Sequence, residues 1–453
     1  MEPLTLQLEQ DFSSSGFSRH PTWLTELMKS AFVSFEDKGY PSPREEAWRY
    51  TNVVPMTETP FRFVKDSKFS GVSKDKIKHF VADIEGALCL VFVNGFFQPQ
   101  LSTLQGLPQG MILQSMAEAL KTHSHLVRPY LARFADYREH PFVAVNTAFI
   151  HDGLFIFVPK KTVVKFPVHL VYFSASEGQE TVTHPRNLFV VEEQGQLQLI
   201  ESYAGEGTYW TNTVTEIVAG SRATVDHVRV QKEDLKATHF SSVFSHQAAD
   251  SHFHSHLFSF GGHLVRNNTH VILGGEKSDC LLNGFFMGQG QQHVDNQTTM
   301  DHASPYASSD EFYKGILKDQ AQGVFNGRII VRPQAQKTNA RQSNRNLLLS
   351  EEARMNTKPN LEIYANDVRC SHGATVGHID EEQLFYLRSR GLDRHISYDL
   401  LTYAFAREII QKVPLEGMGR SLECDLFQYL HGETSQKVPS AALPFSRGPQ
   451  RTV

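Results

Sequence analysis

Residues 160–378 form a long series of short β-type segments, which limits the possible folds more than any other part of the chain. Apolar and polar residues alternate over a few positions, a turn signal follows, and the next segment begins with little helical periodicity between them. Several segments change phase midway: Ala223 and Val225 share one parity, whereas Val228 and Val230 share the other. A hairpin sheet keeps one phase, but a chain that turns corners every few residues does not. The pattern therefore predicts a mainly β fold, either a β-solenoid or a sandwich, although no clean repeat consensus is present.

The strand-type pattern ends within residues 361–390, where helical periodicity replaces it. Five residues at every second position share one parity: Val368, Cys370, His372, Ala374 and Val376. On an extended strand these side chains point to one face, so Cys370 and His372 are predicted to lie side by side. Because the other three are apolar or small, that face is predicted to be apolar rather than solvent-exposed. Acidic residues at 380–382 then predict a first helical turn, and Gly391 predicts the end of that helix.

The regions on either side of the β segments are predicted to be mostly helical. Helical spacing is present within residues 1–85 and 106–137, whereas Asn94-Gly95 predicts a tight hairpin turn and residues 144–150 predict a strand. Toward the end of the chain, helices are predicted at 380–390, 393–413 and 422–430. We therefore expect three parts: a mixed, mostly helical domain at 1–140, a β core at 141–379, and a helical region with an irregular tail at 380–453.

The predicted helix at 393–413 carries an apolar stripe wider than the end of a single helix requires. Its members repeat at helical spacing: Ile396, Leu400 and Ala404, and beside them Leu401, Phe405 and Ile409. Such a stripe packs either against the β core or against a partner protein. The sequence leaves both possibilities open.

Composition excludes several classes of protein. The formal net charge is −5 with no dense stripe of Lys and Arg, so nucleic acid is not an expected partner. Four cysteines are widely scattered, which favours a reducing compartment over a disulfide framework. The apolar runs are shorter than the ~18 residues of a membrane helix, and the acidic N-terminus lacks the hydrophobic core of a targeting signal. We expect a cytoplasmic protein that does not enter a membrane.

Two further patterns bear on catalytic or binding sites. His252, His254 and His256 alternate and are predicted to line one strand face, where they either chelate a metal ion, as in a metal-dependent enzyme, or serve as polar strand-face residues. Three histidines on one strand rarely suffice, because metal sites usually take a further ligand from another element. The chain contains no Gly-Lys pair and hence no phosphate-binding loop of the ATPase type, so we expect it to have no ATPase activity of its own.

Cys370 and His372 form the most chemically suggestive pair in the chain. A thiolate beside an imidazole can act as a nucleophile, carry sulfur or ligate a soft metal ion, whereas the alternative is a buried cysteine and a hydrogen-bonded histidine. An iron–sulfur cluster normally takes four protein ligands. Any cluster held by this pair would therefore need ligands from a second chain or a small thiol, which would place the pair at an interface.

Longer stretches carry a resemblance to a known family. They are residues 41–51, 91–102, 142–160, 292–302, the Tyr-Lys-Gly at 313–315 and, most specifically, 366–391. On these motifs the chain resembles the SufB/SufD family of the SUF iron–sulfur cluster assembly scaffold. SufB-type members carry a Glu-His-Glu-Ala-Thr-type motif where this chain has the sequence CSHGAT at 370–375, which matches the SufD form.

The resemblance implies a fold, partners and a cargo. It implies a right-handed parallel β-helix core between helical N- and C-terminal regions, paired with SufB through the β-helix. It also implies that residues within 380–431 dock the ATPase SufC and that Cys370 and His372 contribute to a transient, nascent Fe–S cluster shared with SufB. The family scaffold is associated with reduced flavin as well, for which the sequence assigns no residues. A homodimer is expected to be possible when SufB is absent.

Overall fold

Two long parallel β-sheets wind around a common interior in the computed structural model, which describes residues 2–15, 20–65, 71–104, 106–176 and 178–431. The chain divides into two compact units, Met1–His378 and Ile379–Val453. The strands are β1 Arg62–Phe63, β2 Leu88–Val93, β3 Phe96–Phe97, β4 Ile112–Ser115, β5 Leu154–Val158, β6 Val168–Ala175, β7 Thr181–Thr183, β8 Arg186–Val191, β9 Gln196–Glu206, β10 Tyr209–Ala219, β11 Thr224–Lys232, β12 Thr238–Gln247, β13 His252–Ser259, β14 Leu264–Leu273, β15 Asp279–Gly288, β16 His293–His302, β17 Ser308–Leu317, β18 Gln322–Val331, β19 Asn339–Leu348, β20 Arg354–Ile363 and β21 Arg369–Gly377.

From β8 onward, successive strands alternate between the two sheets, and the fold is a β-solenoid of about 8 turns. Sheet A has the order β20-β18-β16-β14-β12-β10-β8-β5-β4, and sheet B has the order β21-β19-β17-β15-β13-β11-β9-β6-β2-β3. Each strand from β8 onward pairs in parallel with the strand two positions along the chain. The predicted mainly β solenoid with helical flanks is confirmed, and the sandwich alternative is not.

Residues with positive φ mark one corner of the solenoid. Between a sheet A strand and the following sheet B strand, seven of the described residues adopt φ values of 56° to 63°: Lys161, Gln194, Arg222, Asp250, Lys277, Tyr306 and Lys337. The left-handed conformation turns the chain sharply, and it usually selects Gly or Asn. At this corner the residue type varies from turn to turn. The left-handed backbone conformation therefore repeats, but the sequence does not.

The interior of the solenoid is filled by stacked apolar side chains. Register pairing places Ile217, Val271, Met300 and Ile329 in a single column, which Ser245 interrupts once between Ile217 and Val271. All four side chains are fully buried, and each contributes on the order of 1.5–3 kcal/mol relative to an exposed position. The column ends at Leu361 of β20, which is only partly buried because no further turn covers it within the described residues.

Helices of the first unit cover the outer faces of the sheets. They are α1 Pro3–Ser13, α2 Thr22–Lys38, α3 Val54–Thr57, α4 Lys74–Phe80, α5 Met116–Thr122, α6 Ser124–Val127 and α7 Pro141–Ala148. Apolar residues of α1, α2 and α7 pack with Trp210 and Val214 on the outer face of β10. Ile77 of α4 packs on the outer face of β2 and β6. The predicted turn at Asn94-Gly95 is confirmed, since it joins the antiparallel strands β2 and β3.

Two predictions for this region were wrong. Residues 144–150 were predicted to form a strand, but most of them belong to α7, whose first residue is Pro141. This segment is apolar and buried on all sides, so it lacks the periodicity that separates a strand from a buried helix. Residues 106–137 were predicted to be helical, yet Ile112–Ser115 within them is a strand that pairs antiparallel with β5.

A buried ion pair joins the helical segment to sheet A. The Nη2 atom of Arg186 donates to Oε1 of Glu216 at 2.6 Å, and both side chains are fully buried. The Nη1 atom of Arg186 donates to Asn146 and Thr147 of α7. The Glu216 carboxylate accepts backbone N–H bonds from Ala132, Phe134 and Ala135, so the pair fixes the loop before α7 as well as the helix itself.

The described residues of the second unit, which end at 431, form three helices, α8 Glu381–Ser389, α9 Arg394–Ile410 and α10 Glu416–His431. The side chains of Asp380 and Asp393 accept N–H bonds from the first turns of α8 and α9, which is the preferred N-cap arrangement. The helices predicted at 380–390 and 393–413 match α8 and α9, whereas α10 begins earlier than the helix predicted at 422–430. Within the described ranges, no helix combines the length and the apolar character that crossing a lipid bilayer requires.

Candidate functional site

Cys370 and His372 lie on β21, the last strand of sheet B. Their partners on β19 are Ala340 and Gln342 respectively. The two side chains share one face of the strand, as predicted, and are separated by about 7 Å along it. The pair therefore lies at the end of the solenoid, where the structure describes no further turn.

The Cys370 thiol is half-buried at this end and packs against the interior apolar cluster. Burial raises the pKa of the thiol above its ordinary value, because the charged thiolate loses solvation there. The thiol is consequently protonated at neutral pH in the chain by itself. Binding of iron or sulfur would have to displace this proton.

His372 is exposed, and so are Ala374 and Val376 on the same face. The prediction that this face is apolar and shielded from water was therefore wrong beyond Cys370. Parity correctly placed the side chains on one face, and the register with β19 shows that this face points toward the solenoid interior. An inward face is covered only when another turn of the solenoid follows, and β21 is the last strand in the part of the chain that the structure describes.

Buried polar side chains lie one turn below the pair. Gln342, the register partner of His372, donates from Nε2 to Oε2 of Glu311 at 2.6 Å. Burial raises the pKa of the Glu311 carboxyl to about 7. Asn344 and Asn346 bond to each other, and Asn346 donates to the carbonyl oxygen of Thr375. The solenoid interior directly beneath the Cys370–His372 pair is thus lined by hydrogen-bonded polar side chains.

These polar residues were missed in the sequence because the register was unknown. Gln342, Asn344 and Asn346 share one parity, and that signal is visible before the fold is known. The signal can be interpreted only when the register between β19 and β21 is known, because their 30-residue spacing places these side chains beneath His372, Ala374 and Val376.

The last turn also presents two unpaired strand edges. Strands β20, of ten residues, and β21, of nine residues, are the terminal strands of sheets A and B. Each pairs with one neighbour, and the part of the chain that the structure describes supplies no strand for the other side. Long exposed strand edges of this kind are templates for pairing with another chain. We refer to β20, β21 and the loop between them as the open end.

The histidines at 252–256 are placed on the outer face of sheet B, away from the open end. His252 and His254 come together with Asp279 of the next strand in the sheet. His256 shares their parity but is buried, and its Nδ1 lies 3.4 Å from Nδ2 of Asn283. The neighbouring carboxylates of Asp226, which is hydrogen-bonded to the ring, and Asp279 raise the pKa of His254 to about 9. The structure therefore replaces the predicted trio with two histidines and an aspartate.

Comparisons with known proteins match nearly the whole chain. Residues 8–170 match the model of the SufBD protein N-terminal region, and residues 173–405 match the model described as SUF system FeS cluster assembly, SufBD core domain. An iron–sulfur cluster assembly SufBD family protein of Synechocystis is 33% identical over 85% of this chain and 86% of its own length. The chloroplastic protein ABCI7 of Arabidopsis thaliana is 31% identical over 91% and 88%. The iron–sulfur cluster assembly protein SufD of Escherichia coli is 29% identical over 93% and 95%.

Proposed function

The chain belongs to the SufBD family of the SUF iron–sulfur cluster assembly system, and we propose that it serves there as a non-catalytic scaffold subunit of the SufD type. In this proposal the open end pairs with a SufB-type partner, and a nascent Fe–S cluster forms at the resulting interface beside Cys370 and His372. The observation that carries it is the position of this pair on the terminal strand of an uncovered solenoid.

Pairing at the open end follows from the two strand edges. Unpaired N–H and C=O groups along β20 and β21 can continue both sheets into strands of a partner, the mode of recognition known as β-augmentation. Pro359 lies in β20, and a proline is tolerated only where a strand is at an edge or its N–H is not needed. Ile363, Tyr364 and Val376 are exposed apolar side chains at the same end and would add buried area to such an interface.

Cluster formation at this interface follows from the number of ligands. Cys370 and His372 supply two, and an iron–sulfur cluster normally takes four. The thiol is also protonated in the chain by itself, since burial raises its pKa. A partner that adds ligands and iron would favour the thiolate, because metal binding releases the proton. The cluster is cargo in this scheme and would be shared between the two chains.

We expect Val376→Lys to weaken pairing with the SufB-type partner at least about tenfold, because burying an unpaired charge at an interface costs more than 1.4 kcal/mol. Val376 is exposed in the chain alone, so the variant should fold normally. The measurement is the dissociation constant of the purified pair by light scattering or calorimetry. Val33→Lys on α2 is the matched control, since that valine is also exposed and α2 packs on β10, five strands away from β20 in sheet A. Equal affinities for the two variants would count against the open end as the interface.

We further propose that the second unit docks the SufC-type ATPase. The exposed apolar side chains Phe385 and Tyr386 on α8 and Ile396 on α9 offer a surface for it. Ile409 of the predicted stripe is buried, whereas Ile396 at its other end is exposed. The stripe is therefore used for packing at one end and remains available for a partner at the other.

Ile396→Asp is expected to release the ATPase from the assembled complex while leaving the SufB-type partner bound. An apolar contact would be replaced by a charge that must be desolvated. Leu235→Asp is the matched control, because both side chains are 51% exposed and Leu235 lies in the solenoid between β11 and β12. Co-purification with each tagged partner distinguishes the two outcomes. If Ile396→Asp retains as much ATPase as Leu235→Asp, the docking surface lies elsewhere.

Two further expectations belong to the same proposal. The open end is available to a second copy of the chain when the SufB-type partner is absent, so a homodimer is possible under those conditions. Reduced flavin remains an expectation at the level of the family, and we assign no residue of this chain to it.

A further inference from the structure

We propose that His252, His254 and Asp279 form a mononuclear binding site for a divalent first-row transition-metal ion on the outer face of sheet B. Their ligand atoms, one from each side chain, all lie within 4.8 Å of one another. Two imidazoles and one carboxylate suit Zn²⁺ or Fe²⁺ rather than Mg²⁺ or Ca²⁺, which prefer oxygen ligands. The site is separate from Cys370 and His372 and does not depend on the role proposed for that pair.

The sheet register brings these three residues together on rigid backbone. His252 is paired with Asp279 across β13 and β15, and His254 is paired with Asp226 across β11 and β13. Each of these strands is hydrogen-bonded on both sides within sheet B. Ligands on central strands are held more precisely than ligands on loops, which reduces the ordering required when an ion binds.

Additional side chains orient two of the three ligands. Oδ1 of Asp226 lies 3.0 Å from Nδ1 of His254, so the opposite ring nitrogen, Nε2, faces Asp279. The Ser308 hydroxyl donates to Oδ1 of Asp279, and Oδ2 of Asp279 faces both histidines. A carboxylate on the far nitrogen of a ligating histidine is a recurrent feature of metal sites, where it fixes the tautomer and raises ligand basicity.

The distances fit an ion better than they fit direct hydrogen bonds. Oδ2 of Asp279 is 3.6 Å from Nε2 of His254 and 3.8 Å from Nδ1 of His252. Both separations exceed a normal hydrogen bond. Ligand bonds of about 2.0–2.2 Å to Zn²⁺ separate neighbouring ligand atoms by about 3.0–3.5 Å, so a small contraction would complete the site. The side chains of His252 and Asp279 are 49% and 39% exposed, which leaves the remaining coordination positions to water.

The test is metal binding by the full-length chain after treatment with a chelator. Equilibrium dialysis against Zn²⁺ should give one ion per chain that is lost or weakened at least about tenfold in His254→Asn and in Asp279→Asn. Asp226→Asn should weaken binding without changing the stoichiometry, since Asp226 positions a ligand rather than serving as one. Co²⁺ bound at the site should show the visible spectrum of nitrogen and oxygen ligands without a thiolate charge-transfer band.

Matched variants guard against unspecific effects. His79→Asn changes an exposed histidine on α4 and should leave Zn²⁺ binding unchanged. Circular dichroism checks that each variant is folded, and the half-exposed positions of His254 and Asp279 make loss of the fold unexpected. Zn²⁺ binding that is absent from the parent chain, or equal in the parent, His254→Asn and Asp279→Asn, would overturn the proposal and identify the group as an ion-pair network without a metal.

Discussion

Replacing Cys370 by Ala is expected to leave the three-subunit complex assembled and to lower its Fe–S cluster content at least about tenfold. Removing a residue that only supports a metal ligand already weakens metal binding by about tenfold or more, and removing a ligand itself should cost at least as much. The side chain is half-buried and small, so Ala preserves its packing against the interior cluster. What is lost is the thiol, the only soft ligand on the exposed face of β21. Iron and acid-labile sulfide per complex, measured after anaerobic co-expression, report the effect.

Cys89→Ala is the control for this substitution. Cys89 is also half-buried and lies in β2, near the opposite end of sheet B. Its loss should leave cluster content unchanged, which separates a specific role of Cys370 from a general effect of removing a thiol. His372→Ala should lower cluster content in the same direction as Cys370→Ala. A complex that retains full iron and sulfide in Cys370→Ala would refute the assignment of the site.

The second large effect is expected for stability. Arg186→Met should lower the free energy of unfolding of the first unit by about 3–5 kcal/mol, because it leaves the Glu216 carboxylate buried without its counter-charge. The substitution also removes the donors to Asn146 and Thr147, which link β8 to α7. Urea unfolding followed by tryptophan fluorescence measures the change, since all three tryptophans lie in this unit.

Arg222→Met provides the matched control. Arg222 pairs with Glu193 on the surface, where the side chains are 54% and 38% exposed. Solvent screens such a pair, so its loss should cost less than about 1 kcal/mol. If Arg186→Met and Arg222→Met shift the urea midpoint by the same amount, the buried pair does not hold the helices on sheet A as the structure indicates.

The solenoid could be predicted from the sequence, but its repeat could not. Phase changes such as the one between Val225 and Val228 are the signature of a chain turning corners. The corners themselves lack a consensus, because Gln194, Lys277 and Tyr306 all adopt the left-handed conformation usually occupied by glycine. Without a consensus the register between turns stays unknown. Contacts between residues some 30 positions apart then cannot be predicted from the sequence pattern.

The candidate site was likewise predictable from the sequence only in part. Alternation along one strand was enough to place Cys370 and His372 on a common face. Whether that face is covered depends on which strand comes last, and this is a property of the whole fold. The group of His252, His254 and Asp279 required the register as well, since Asp279 is brought beside the histidines by strand pairing alone.

Amide hydrogen exchange across the open end tests the central claim most directly. The backbone of residues 354–377 would be followed by mass spectrometry in the chain alone and in its complex with the SufB-type partner. The account predicts rapid exchange of the outward-facing amides of β20 and β21 in the chain alone and strong protection in the complex, because those groups become hydrogen-bonded to partner strands. Protection confined to other parts of the chain, with exchange in residues 354–377 unchanged, would contradict pairing through the open end and with it the placement of Cys370 at the interface.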